Sequence, residues 1–383
     1  MNGVEWGLPP LADESFRAVS VDPQGMNRFW IEHYASRFIP AGGSKVKWIQ
    51  GREGSGKSHA LHQLALGARD VGMLVVELDA RTEWLRGIEE FVRALLQKLP
   101  YQSVLTALSR QVIRTMGYDP NEVGDPAWLL DWLVSNRGRM RERALADVRE
   151  AVDRTISVLD IDLNLKTAIG FGLDRTLGAA GQDSGDVAVW FRGGKVTRGR
   201  LAAVGLSRPL SKLNARGILQ GWGAAALAAG LPGLLVTVDN LDQVMAPKTD
   251  GAPYYTRLRR EETYEMLRQF IDDGDALPGV WLVVAARPEL FTDERTGFKS
   301  YPALDARVVN EIETRALNRF EDHVDWDRVW TQDPDSLTML VGKWAEHLRT
   351  NVVALPPPQG RVSPVRRAVL ALSQEVERDD GSR

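Results

Sequence analysis

The chain has no cysteine. That excludes disulfides and cysteine zinc sites, and it fits a reducing cytoplasm. Histidine is scarce: five are scattered through the chain without the spacing of metal ligands. No run approaches the ~18 apolar residues that a membrane-crossing helix needs. Leu234–Val238 and Val280–Ala286 are apolar but far too short. Met1–Pro10 carries Glu5 and two prolines, and lacks the basic start and apolar core of a secretory signal. The expectation is therefore a cytoplasmic protein with no membrane partner. A strong charge of one sign is also missing. The net charge of −3 gives no global pull towards nucleic acid and leaves a local basic face open.

What is present is an ordinary globular composition, 44% hydrophobic and 26% charged, in 383 residues. That length carries a full core and more than one structural unit. The twelve tryptophans read as packing residues. The periodicity predicts helices over residues 25–38, 58–69 and 84–99, and mostly helical chain over 101–185. Residues 139–154 carry dense mixed charge and read as a solvated helix face. Residues 165–184, rich in glycine and small residues, read as a flexible connection. Two helices follow over 201–229, and one more over 259–271. Short apolar runs at Val46–Gln50, Met73–Leu78, Leu234–Val238 and Val280–Ala285 read as buried strands, with Val308–Ile312 as a candidate fifth. Apolar strands alternating with amphipathic helices predict an α/β fold with a parallel sheet covered on both faces. From about Arg319 the chain reads as helical, broken by Pro356–Pro358, with a last helix capped by Ser363 and opened by Pro364. The expected division is an N-terminal segment over 1–44, a nucleotide-binding domain over 45–320 with a helical insertion at about 100–230, and a helical lid over 321–383.

The chemistry begins at Gly51-Arg52-Glu53-Gly54-Ser55-Gly56-Lys57-Ser58, which fits G-x-x-x-x-G-K-[ST] without a mismatch. Phosphate oxygens need backbone N–H groups at a helix N-terminus, and glycine lets the backbone wrap that closely. This Walker A pattern, with His59 beyond it, is the expected ATP cradle of a P-loop NTPase. Lys57 would reach the β- and γ-phosphates and the Ser58 hydroxyl would ligate Mg²⁺. The apolar strand at 234–238 ends in Asp239, the expected Walker B carboxylate beside the metal. The next residue is Asn240, which cannot act as a base. Asp242 lies three residues past Asp239 and is the candidate for that role. Arg287 follows the strand at 280–285 and is placed to sense the γ-phosphate. Arg307, Arg366 and Arg367 are further candidates, Arg366 as a contact of the bound nucleotide. Lys195, Arg198, Arg200, Arg208, Lys212 and Arg216 form a basic strip that suits DNA and equally suits a solvated helix pair.

Lys57 and Asp239 are 182 residues apart, more than compact nucleotide kinases and small GTPases hold between these motifs. With Trp48–Ser58, the strip Trp190-Phe191-Arg192-Gly193-Gly194, Gly233–Asp239, Tyr264–Ile271 and Pro278–Val284, the chain resembles the ATP-binding proteins of BREX-type phage-defence systems. The resemblance covers roughly residues 25–320, and more weakly the Ser363–Pro364 helix. It implies an additional-strand ATPase working with other defence-system proteins and near DNA; a second copy of the chain is a further partner left open. Asn240 departs from the family, in which glutamate is expected. Two other readings compete: a scaffold that binds ATP without turning it over, and a small-molecule kinase. The long helical stretch and the lack of a substrate-pocket motif argue against the kinase.

Overall fold

The computed structural model describes residues 13–179, 185–249, 251–308, 317–348 and 362–381. Five strands form one sheet: β1 (Lys45–Gln50), β2 (Leu74–Asp79), β3 (Leu234–Asp239), β4 (Val280–Ala286) and β5 (His323–Asp325). Their spatial order is β2-β3-β4-β1-β5, and every neighbouring pair is parallel. Among the described residues, then, the fold is a helix-rich α/β architecture on a five-stranded parallel sheet.

Successive strand side chains point to opposite faces, and both faces are buried here. Trp48, Leu74, Val76, Leu234, Val236, Val280, Leu282 and Val284 join one apolar cluster. Ile49, Val75, Leu235, Trp281, Val283 and Ala285 join a second one across the sheet. That is why these strands read as unbroken apolar runs. The first cluster continues into helices between β2 and β3, among them Ile88–Lys98, Tyr101–Thr115, Arg141–Ser157, Leu163–Thr176 and Ala215–Ala228. The second holds the Lys57–Asp70 helix and elements from both ends of the described chain: Met26–Trp30, Trp326–Thr331, Pro334–Leu348 and the start of Pro364–Gly381.

Several expectations need correction. Residues 165–179 are not a flexible connection. Leu163–Thr176 is a helix with Leu165, Ala168, Ile169 and Leu173 fully buried. Asp162 caps it, its carboxylate accepting from the N–H groups of Asn164 at 2.9 Å and Leu165 at 3.2 Å. Its glycines serve close packing: a Cβ on Gly172 would lie 2.8 Å from Leu105 Cδ1. Residues 180–184 lie outside the described residues. The charged stretch over 139–154 does present a largely solvated face, and from Arg141 it lies in the helix Arg141–Ser157, which also buries one apolar stripe, Ala144, Val148, Ala151 and Val152, on its neighbours. Val308 ends the helix Pro302–Val308, and residues 309–312 lie outside the described set. The fifth strand is instead His323–Asp325, in a stretch expected to be helical and past the residue 320 taken as a domain boundary. Three residues with one apolar side chain carry no readable period; β1 recruits them by backbone pairing, Trp48 opposite His323. The first predicted helix is also wound differently, Met26–Trp30 as α-helix and Ile31–Phe38 as π-helix. The break at Pro356–Pro358 lies outside the described residues.

Candidate functional site

Parallel strands bring their C-terminal ends to one edge of the sheet, where α/β proteins place their ligands. Here β1 runs into residues 51–56, β3 ends at Asp239, and β4 is followed by Arg287. Between them lies a cavity of about 350 Å³. Glu53, Gly54, Gly56, Lys57, Ser58 and His59 line one side of it; Asn240, Asp242 and Arg287 line another. Trp326, Trp330, Trp344, Val365 and Arg366 close it over the second face.

The 51–56 loop wraps a small space. Gly54 and Gly56 have φ of +72° and +88°, a region that favours glycine. A Cβ on Gly51 would lie 2.5 Å from Ser55 Oγ. That hydroxyl is fully buried and has no hydrogen-bond partner among the described residues. The Lys57 ammonium donates to the carbonyls of Gly51 at 2.7 Å and Arg52 at 3.0 Å, bracing the loop from within. Burial lowers the Lys57 pKa from its ordinary value, against the opposing pull of Asp239, Asp242 and Asp327.

Ser58 is the second residue of the helix Lys57–Asp70, and its hydroxyl hydrogen-bonds the Asp239 carboxylate. Burial raises the Asp239 pKa and Asp79 raises it further; the Ser58 bond and the Asn240 N–H oppose the rise. This hydroxyl–carboxylate pair beside a phosphate-sized cradle suits Mg²⁺, which takes one or two protein ligands plus substrate phosphates. Among the described residues no group of three or more His, Asp or Glu forms a metal cage.

Asp242 and Arg287 are joined. The Arg287 backbone N–H donates to Asp242 Oδ1 at 2.9 Å and its Nε to Oδ2 at 2.7 Å. The Asp242 side chain is only 8% exposed, so both oxygens of the candidate base are taken by this one arginine. Arg366 lies over Gly54 and pairs with Glu53 at 3.0 Å. Its helix is tied to the loop by the Ser363 hydroxyl, which donates to the Gly54 carbonyl at 2.9 Å. His59 packs on Phe16, ring centroids 5.5 Å apart, and burial pushes its pKa down to about 4. It is therefore neutral at physiological pH.

Other expected residues lie elsewhere. Arg307 is not at the cavity; it ion-pairs with Asp272 on the Arg257–Asp272 helix. Half of the basic strip is paired with acids: Arg200 with Asp186, Arg216 with Asp273 and Lys212 with Glu262. Two residues that support the site went unread in the sequence. Asp327 accepts from the Arg52 backbone N–H at 2.7 Å and pairs with its Nε at 3.2 Å, fixing the loop from 275 residues away. Nothing local marks it. Asp79 ends β2 directly opposite Asp239 in the ladder. It could have been found, because an apolar strand ending in aspartate is the pattern used to find Asp239.

Among the described residues no helix is long and apolar enough to cross a membrane. A family model described as BREX system ATP-binding protein BrxC/D matches residues 131–326, just over half of the chain. The matched span holds Asp239, Asp242 and Arg287; the 51–58 loop lies before it. No curated protein and no solved structure matches the chain significantly.

Proposed function

The chain belongs to the BREX system ATP-binding protein BrxC/D family, and on that premise we propose that it is an ATP-driven switch of the phage-defence system, binding and hydrolysing ATP at the cavity of residues 51–58, Asp239 and Arg287. The backbone N–H groups of the loop and Lys57 hold the phosphates. Ser58 and Asp239 are the side chains that would hold Mg²⁺. That ion, when bound, neutralises charge on the β- and γ-phosphate oxygens. Arg287 is the cation for the γ-phosphate, and Asp242 is a positioning residue that acts through it. His59 and Arg366 border the nucleotide, His59 as a neutral ring and Arg366 as an exposed cation that can leave Glu53 for a phosphate. The observation carrying this reading is the convergence of Lys57, Ser58, Asp242 and Arg287 on one cavity from the ends of three separate strands, with Asp239 bonded to Ser58 beside it. The unpartnered Ser55 hydroxyl and the cradle that a Cβ on Gly51 would fill fit a bound phosphate.

The test is ATP titration by calorimetry of the wild type and Lys57→Ala. Removing the ammonium should weaken ATP binding by about tenfold or more, on the order of 1.4 kcal/mol or above, while the melting transition is retained. Unchanged affinity in a folded variant would sink the assignment. The scaffold reading, ATP bound without turnover, has one observation in its favour: Asn240 is no acid and Asp242 has both oxygens engaged. Phosphate release without an added acceptor separates it, and the kinase, from the ATPase. DNA contact through the basic strip would rest on Lys195, Arg198 and Arg208, which carry no ion pair among the described residues.

A further inference from the structure

Hydrolysis is helped by a carboxylate that orients water at the γ-phosphate and takes up its proton, and neither Asn240 nor Asp242 is free to supply one. Asn240 has an amide that neither accepts a proton nor bears charge. Asp242 has both oxygens committed to Arg287. The neighbouring strand supplies a third acid. β2 and β3 run in register, Asp79 opposite Asp239, so Asp79 reaches the same sheet edge one strand over. Asn240 stands in the left-handed region, φ 55° and ψ 36°, which asparagine tolerates better than most residues. That turn brings its backbone N–H to Asp239 Oδ1 at 2.8 Å and its side-chain amide to Asp79 Oδ1 at 3.0 Å. The Arg81 N–H donates to the same oxygen at 2.9 Å. Asp79 Oδ2 accepts no hydrogen bond among the described residues, and Asn240 and Arg81, which flank Asp79, both line the cavity.

We propose that Asp79 supplies the carboxylate that orients the attacking water, and that Asn240 is the positioning residue holding it. The acid and the amide thus stand at the ends of adjacent strands. The assignment rests on the ATPase reading above. In the step, the water oxygen bonds to the γ-phosphorus as the bond to the bridging oxygen breaks, and that electron pair leaves on ADP. One water proton stays on the new phosphate, and the other passes along the hydrogen bond to Asp79 and on to solvent.

The test compares full-length wild type, Asp79→Asn, Asp242→Asn and the exchanged double variant Asp79→Asn/Asn240→Asp. Three readouts are taken: ATP affinity, steady-state phosphate release, and affinity for ADP with aluminium fluoride, a planar mimic of the transferring phosphoryl group. Asp79→Asn should lower turnover by about 10²-fold and weaken the mimic similarly, with ATP affinity changed less than about twofold. The exchanged variant should recover part of both losses. Asp242→Asn should weaken ATP binding itself, through Arg287. Full turnover in Asp79→Asn overturns the assignment and leaves the ATPase reading standing. An equal loss of ATP affinity in Asp79→Asn marks a structural role and also overturns it. A wild type that binds ATP but releases no phosphate overturns both.

Discussion

Glycine and tryptophan do different work on the two faces of the sheet. On the face covered by the helices between β2 and β3, they are packing units. Gly172 lets its helix close on Leu105, and Gly221 closes on Leu165, where a Cβ would lie 2.5 Å from Cδ2. Trp222, fully buried, sits in an aromatic group with Phe191 and Tyr101 at centroid distances of 5.5 and 6.3 Å. On the face of the Lys57–Asp70 helix, glycines shape a cradle, and Trp326 and Trp330 stand against Gly56. Each indole Nε1 there is buried without a partner among the described residues, as that of Trp222 is on the other face. One face spends these residue types on density; the other, whose core also buries Trp30 and Trp281, spends part of them on an opening. The family match over 131–326 falls largely on the dense face, and the Trp190–Gly194 strip that carries part of the resemblance is core: Trp190 and Phe191 are each 2% exposed.

If the faces are this separate, damage to one should leave the other's property intact. The largest effect is expected from Trp222→Ala, which should cost about 3–5 kcal/mol of stability through a core cavity. Denaturant titration reads the loss. ATP affinity per folded molecule should not change; a parallel fall in affinity would join the two faces. Asp327→Ala should cost about 1–3 kcal/mol by leaving the Arg52 N–H without its acceptor. That loss falls on the cradle, so calorimetry should find ATP binding weaker by about tenfold. Unchanged affinity would make Asp327 a fastener of the fold alone.

A pH series puts one histidine of each face side by side. Burial holds His59 at about 4, and it holds His323, stacked on Phe291 at 4.4 Å, at about 4 as well. The unfolded imidazole titrates near ~6.5. The unfolded chain therefore binds more protons between these values, and stability falls as pH drops from ~6.5 towards 4. The slope should reach about 1.4 kcal/mol per pH unit for each histidine. Urea midpoints across this window check it. His59→Gln and His323→Gln should each remove about half, and an unequal split would mean that one face opens first in acid. The smallest effect is expected from Arg366→Ala. Arg366 and Glu53 are 45% and 70% exposed, so without nucleotide their pair should be worth under ~1 kcal/mol. Melting curves should barely move, whereas ATP affinity should drop measurably; a drop in neither removes Arg366 from the site.

Much of the site is readable because it is local. A strand, a glycine loop and a helix start occupy consecutive residues from 45 to 58, and the apolar runs before Asp239 and Arg287 announce themselves. Other parts escape for stated reasons. β5 is too short to show a period. The glycines of residues 163–176 imitate a linker until Leu105 and Ile156 are seen against them. Asp327 and Ser363 reach the loop across 275 and 309 residues.

The order of apolar runs and helical periods by itself determines that strands alternate with helices and that Lys57, Asp239 and Arg287 end at one edge, since parallel strands have only one C-terminal side. Which carboxylate is free at that edge is a tertiary decision. Asp79, Asp239 and Asp242 are alike as letters. Only the packed structure gives both oxygens of Asp242 to Arg287, pairs Asp239 with Ser58, and engages one oxygen of Asp79 with Asn240 while the other accepts no hydrogen bond among the described residues, because hydrogen-bond partners are assigned by distance in space and not along the chain.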